Sequence, residues 1–275
     1  MSRNFELLCR VGKELPEFSS DLLPNEGQSH QVDETVSVEE EGVKSEKENV
    51  LFRRVPNDSP LRDGEGCEQA QNELVKLVQR VFMFPNSGAP RLVVFSSIDK
   101  RSGSSEICFG VGDVLAAQVS GSVCMVDANL RSPSLHELLG IGRSPGLTDA
   151  MISLDPIKDF AVPIARGNLW LMPPGSSAGE ATGLFASDRW CSRLAELKEE
   201  FDYVLIDAPS ASMYMDPILL GQKADGVILI VEANSTRRET TRMAKQTFEG
   251  ARVKLLGAIL NNRRFPIPEA LYRKL

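Results

Sequence analysis

From about Glu68 onward, short runs of consecutive apolar residues alternate with longer amphipathic stretches, and this alternation limits the fold more than any other feature of the chain. The runs "LVVFSS", "VCMVDA", "NLWLMP", "YVLIDAP", "GVILIVEA" and "KLLGAILNN" lack the every-second-residue polar pattern of a sheet with one wet face. Between them, "CEQAQNELVKLVQRVF", "EICFGVGDVLAAQV", "RWCSRLAELKEEF" and "RRETTRMAKQTFEGA" have helical length and spacing. Strands that are apolar on both faces need covering on both sides, and intervening helices return the chain in parallel. The expected fold class is therefore α/β, a doubly wound, mostly parallel sheet in a three-layer sandwich, with central strands at Leu92–Phe95, Val123–Val126, Val204–Ile206 and Val227–Val231. Ligands of such sheets bind at the carboxyl ends of the strands. Three ends carry polar residues of interest: the loop after Phe95, Asp127 after "VCMV", and Asp207 after "YVLI".

The stretch before this pattern has a different character. Residues 16–66, containing "PNEGQSHQVDETVSVEEEGVKSEKEN", are polar, acidic and poor in aromatics, which predicts a disordered acidic linker. Residues 1–15 place Phe5, Leu8 and Val11 near helical spacing and predict one short amphipathic helix. The α/β domain is expected to fill 67–275. A formal net charge of -7 opposes a general nucleic-acid binder, because neutralising phosphates needs a basic surface. The five cysteines have no paired spacing, and Cys108 and Cys124 fall in apolar stretches, so buried reduced thiols are expected. With no apolar signal core near the start and no run of membrane-spanning length, the expected location is cytoplasmic.

The loop after the first central strand reads "SSIDKRSGSSEICFG", an apolar run that bends through Ser and Gly and resumes as a helix. That is the layout of a loop whose backbone N–H groups cradle phosphates, yet the lysine such a loop needs is missing.

Several blocks carry a family resemblance: "VCMVDANLRSPSLHELLGI", "GLTDAM", "FDYVLIDAPSASMYMDPILLGQKADGVILIVEANSTRRETT" and "LLGAILNN". In order and spacing they resemble the bacterial tyrosine kinases of capsule and exopolysaccharide synthesis, a deviant-Walker branch of the P-loop ATPases, over roughly Glu68 to Asn262. The resemblance implies a P-loop NTPase-like domain with ATP and Mg²⁺ as ligands. It implies that Asp127 acts near the metal and the attacking hydroxyl, that Ser105 and Asp207 hold Mg²⁺, and that Asn261 and Asn262 lie where the family contacts adenine. It also places phosphoacceptor tyrosines in the C-terminal tail, where this chain has Tyr272 alone.

Against that pattern, Gly103 and Ser105 match the second glycine and the metal-binding hydroxyl of the loop, but Arg101 replaces a glycine, Ser104 replaces the lysine and Ile98 replaces a small residue. A lysine at ~4 Å from a phosphate, with an effective dielectric near 20, contributes roughly 4 kcal/mol before desolvation. Serine supplies no such charge. Lys100 and Arg101 are nearby cations that a rearranged loop would bring to the phosphates. "CMVDANLR" keeps Asp127 and Arg131 but has Asn129 for the second aspartate, an oxygen donor without charge. Asp207 has an alternative role as hydrogen-bond acceptor for Ser104 or Ser105, holding the loop closed without nucleotide. The family's helical ring-assembly motif is represented by Glu73, Lys76 and Gln79, its last charge lost.

The expected function is a degenerate kinase-like protein acting as a non-catalytic regulator or binding module in exopolysaccharide or capsule biosynthesis and export, with ATP and Mg²⁺ bound weakly. The expected partners are a membrane polymerisation or export complex, at the inner face of the membrane, and an active kinase in a homo- or hetero-oligomer. The alternative is an active ATP-dependent protein tyrosine autokinase of the same pathway. A positioning ATPase is disfavoured, because its further signature lysine would fall at Asp99.

Overall fold

The structure is a computed structural model that describes residues 6–8, 65–83, 88–100, 102–164, 167–177 and 183–262. The strands are β1 (Glu6–Leu8), β2 (Leu92–Ser97), β3 (Val123–Asp127), β4 (Val162–Pro163), β5 (Leu169–Met172), β6 (Tyr203–Ala208), β7 (Gly226–Glu232) and β8 (Leu255–Asn261). They form one sheet in the order β1-β8-β7-β2-β6-β3-β5-β4. The inner pairings are parallel, and the outermost pairs, β1 with β8 and β4 with β5, are antiparallel. The helices are α1 (Glu65–Val78, continued by a wide turn over Gln79–Met83), α2 (Ser104–Gln118), α3 (Leu135–Leu138), α4 (Leu147–Ile152), α5 (Asp188–Glu200), α6 (Asp216–Gly221) and α7 (Arg238–Gly250).

The apolar runs owe their continuity to two cores. Alternate residues of one strand point to opposite faces, so Val93 and Phe95 pack with Leu74, Ile107, Val111 and Leu115 of α1 and α2. Leu92 and Val94 pack on the other face with Trp190, Leu194 and Leu197 of α5 and with Phe248 of α7. This is the three-layer α/β sandwich that the pattern predicts. Close approach of α2 to the sheet requires Gly112, where a Cβ would fall 2.6 Å from the Met125 sulfur. Cys108 and Cys124 are buried, free thiols, and burial pushes both well above the ordinary thiol range.

The predicted N-terminal helix meets a difference. Glu6–Leu8 is a strand paired with Leu260, Ile259 and Ala258, because the outer edge of β8 offers backbone partners to an extended segment. Residues 9–64, and with them nearly all of the predicted linker, lie outside the described residues, whereas Glu65 and Gly66 already belong to α1. No helix among the described residues is long and apolar enough to cross a membrane.

Candidate functional site

Register brings the candidate residues together. Phe95 of β2 lies beside Asp207 of β6, and Asp207 lies beside Asp127 of β3, so three central strands end level where β2 runs on into the loop that begins at Ile98. The start of that loop is tied down on both flanks. Ile98 N–H donates to the Ile230 carbonyl (2.9 Å), Ala211 N–H to the Ser97 carbonyl (2.8 Å), and the Ser210 hydroxyl to the Ile98 carbonyl (2.5 Å). Ile98 is fully buried. At the other end, Gly103 has φ 76°, a left-handed conformation that favours glycine.

A Cβ on Gly103 would lie 2.5 Å from Asn261 Nδ2. That amide donates to the Ser102 carbonyl (2.8 Å), and Asn261 Oδ1 accepts from Asn262 N–H (2.9 Å). Asn261, 1% exposed, thus clamps the loop across 159 residues of sequence. The Asn262 side chain turns to Glu232 Oε1 (3.3 Å).

Beneath the loop, Asp207 is completely buried and accepts from two hydroxyls, Ser104 on Oδ1 (2.7 Å) and Ser105 on Oδ2. The Ser134 hydroxyl donates to Ser105 Oγ (2.7 Å), extending the chain of hydroxyls toward β3. Burial pushes Asp207 above the usual carboxylate range, and donation from Ser105 and Ser104 opposes this. Asp127 is also fully buried. Its Oδ2 accepts from Leu135 N–H (3.1 Å), while Oδ1 is buried with no hydrogen-bond partner. Burial, followed by the charge of Asp207, raises Asp127, against the N–H groups of Leu135, His136 and Ser134. His136 Nδ1 stands 3.5 Å from Asp127 Oδ2, at the outer limit of a hydrogen bond, and burial lowers the histidine, favouring its neutral form.

The structure thus brings Gly103, Ser104, Ser105, Asp127, Asp207 and Asn261 into one site. Lys100 is exposed on the loop, and Arg101 and Tyr272 lie outside the described residues. Asn129 is partly buried, and Arg131 stacks over the Tyr214 ring (4.4 Å) with Nε 3.4 Å from Asp216. Sequence reasoning missed Ser134, His136 and the grip of Asn261 on Ser102. The signal available for the first two was their place in "NLRSPSLHELLG", a few residues beyond Asp127; the third has no local signal.

The hard oxygen donors of Ser105 and Asp207, with the unpartnered Asp127 oxygen, suit Mg²⁺ chemically. The triphosphate finds a poorer fit, because a neutral hydroxyl at Ser104 occupies the place of the lysine and is itself spent on Asp207. No group of three or more His, Cys, Asp or Glu that could hold a metal occurs among the described residues. Surface pairing on α1 is limited to Lys76 Nζ and Glu73 Oε1 (2.6 Å) among the described residues, while Gln79 falls in the wide turn that follows.

Comparison with known proteins finds relatives of the chain and of its fold. The chain is 28% identical over 184 residues to tyrosine-protein kinase YwqD of Bacillus subtilis, covering 62% of this chain and 77% of that protein. It is 24% identical over 221 residues to tyrosine-protein kinase Ptk of Acinetobacter johnsonii, covering 80% of this chain but only 30% of that longer protein. Among solved structures, the kinase domain of Escherichia coli tyrosine kinase ETK superposes with a TM-score of 0.62 at 21% identity, over 74% of this chain and 78% of that one. The family model described as cellulose biosynthesis protein BcsQ matches residues 93–257, more than half of the chain. The chain belongs to that family, within the Walker-type P-loop ATPases related to the bacterial tyrosine kinases.

Proposed function

We propose that this protein serves bacterial exopolysaccharide or capsule biosynthesis and export as a kinase-fold binding module rather than as a phosphoryl-transfer enzyme. One observation carries the reading: both oxygens of Asp207 accept from the loop's own hydroxyls, Ser104 and Ser105, with Ser104 in the lysine position. The loop is thereby satisfied without a nucleotide, and Asn261 holds it from the far side. A face fixed in this way is readable by a partner, which on this reading is a membrane protein of the polymerisation or export complex met at the cytoplasmic side, or an active kinase paired with this chain. Losing a contact of ~4 kcal/mol weakens binding roughly a thousandfold. Calorimetry of Mg-ATP and Mg-ADP on the unmodified chain, with Ser104→Lys for comparison, is the test. Micromolar binding to the unmodified chain would sink the reading.

A second reading is an active ATP-dependent tyrosine autokinase, and the comparisons speak for it more directly, since the matched curated relatives are kinases. Ser105, Asp207 and the open oxygen of Asp127 are its preserved parts, with Lys100, Arg101 or a partner's residue standing in for the lysine. On this reading Asp127→Asn or Tyr272→Phe abolishes both phosphotyrosine and polysaccharide output while the fold stays intact. On the binding-module reading Tyr272→Phe leaves output nearly unchanged.

A further inference from the structure

β8 carries β7 on one side along its whole length. On its other side only Ala258–Leu260 is paired, with Glu6–Leu8, and no strand among the described residues covers the outer edge of Leu255–Gly257. Three residues from the start of the chain therefore cap the edge of a seven-residue strand. A sheet edge presents N–H and C=O groups to any extended segment that fits its register, and a three-residue pairing is marginal by itself. The two paired segments lie at opposite ends of the sequence. Between Leu8 and Glu65 run 56 residues, although β1 lies against α1. The covalent route is far longer than the gap it has to cross. The same ladder can therefore form with the segment of another copy, with no change in either fold.

We propose that the outer edge of β8 is a strand-exchange site, at which Glu6–Leu8 of one copy pairs with Ala258–Leu260 of a second copy. Every copy carries both donor and acceptor, so reciprocal exchange closes a two-fold dimer in which each copy's edge is filled by the other. Within one chain the connection supplies its own segment at an effective concentration of roughly millimolar or below. Exchange therefore gains as copies are concentrated or gathered on a common partner. The contact is built onto the strand that holds the phosphate loop, because Asn261, which ties Ser102, directly follows the paired Leu260. This proposal is independent of whether the site transfers phosphate.

The test uses the full chain and its Leu7→Pro variant, since proline removes a strand N–H and disrupts so short a ladder. Sedimentation from low micromolar to millimolar concentration is read beside the binding of a labelled peptide spanning residues 2–12 with Cys9→Ser. We expect the unmodified chain to pass from monomer to dimer and Leu7→Pro to stay monomeric with unchanged circular dichroism. The peptide should bind Leu7→Pro at least about tenfold more tightly than the unmodified chain, whose edge is already filled. It should also protect the amides of Ile259 and Leu260 from exchange. Dimerisation that survives Leu7→Pro overturns the proposal, as does a peptide that binds neither chain. A peptide that binds Leu7→Pro while the unmodified chain stays monomeric at every concentration also overturns it, by confining the pairing to a single copy.

Discussion

Asp207 and Asp149 each hold a loop in place, one beneath the sheet's end and one at the surface, and they do so under opposite electrostatic conditions. Asp207 is completely buried next to a second buried carboxylate, Asp127, and its donors are two hydroxyls. Asp149, in the first turn of α4, takes the Gly146 N–H (2.9 Å), the Ser144 hydroxyl (3.1 Å), the Ser176 N–H (3.2 Å) and the Ser176 hydroxyl, in contact with solvent. Burial pushes Asp149 up too, but the side-chain and backbone donors of Ser176, Ser144 and Gly146 outweigh it and hold the carboxyl below its usual range. At Asp207 and Asp127 burial wins, and the folded protein holds its protons more tightly than the unfolded chain does. Acceptors at the surface stabilise the fold through their charge. At the buried pair, charge works against the fold.

The widest test of this contrast is Asp207→Ala beside Asp207→Asn, in the absence of magnesium and nucleotide. Alanine leaves the Ser104 and Ser105 hydroxyls without their acceptor, a loss of about 2 kcal/mol. Asparagine has an oxygen to accept and an amide to donate, and it removes the charge that raises Asp127, so its effect on chemical denaturation should stay within about 0.5 kcal/mol of zero or be stabilising. Equal losses in the two variants would break the contrast. Asp127→Asn comes next and has the opposite sign, with the fold gaining about 1 to 2 kcal/mol at neutral pH, since binding a proton tenfold more tightly in the folded state corresponds to about 1.4 kcal/mol. The unfolded carboxyl titrates near ~3.9. Between that value and the raised folded one the native state binds more protons, so stability falls as pH rises through this window, and the variant should flatten that slope.

Local and periodic features are legible in the sequence. Val93 and Phe95 against Leu92 and Val94 make a run apolar on both faces, and that alone dictates a sheet covered twice. Asp127 and Asp207 can be placed because each ends such a run. The strand at Glu6–Leu8 is not legible, because the spacing of Phe5, Leu8 and Val11 suits a helix while the partner that imposes extension, Ala258–Leu260, lies at the far end of the chain. Asn261 shows the same limit: its type suits a strand end or a nucleotide contact, and only the fold reveals Ser102 as its partner. The pairing of Asp207 with Ser104 and Ser105 is legible as an alternative to metal binding, because adjacent residues opening one helix can reach a single strand end.

The smallest expected effect belongs to the surface carboxylate, and it sharpens the comparison through its pH dependence. Asp149→Ala removes the acceptor for Gly146 N–H at the start of α4 and unties Ser176, which should cost about 1 kcal/mol at neutral pH. Because the folded carboxyl is held below its unfolded value, that contribution is present in full above ~3.9 and is lost as pH falls through the lower folded value. Denaturant midpoints of the parent and Asp149→Ala should therefore stay separated from neutrality down to about pH 4 and converge in stronger acid. Parent and Asp127→Asn should instead differ most at neutral pH and draw together on the way down to pH ~4, where the unfolded chain's carboxyl takes up the proton that the buried one, raised to about 8, already holds. Convergence of both pairs over the same pH range would mean that burial does not separate the two sites, and the account of the Asp207–Asp127 pair as one whose charge burial opposes would fall with it.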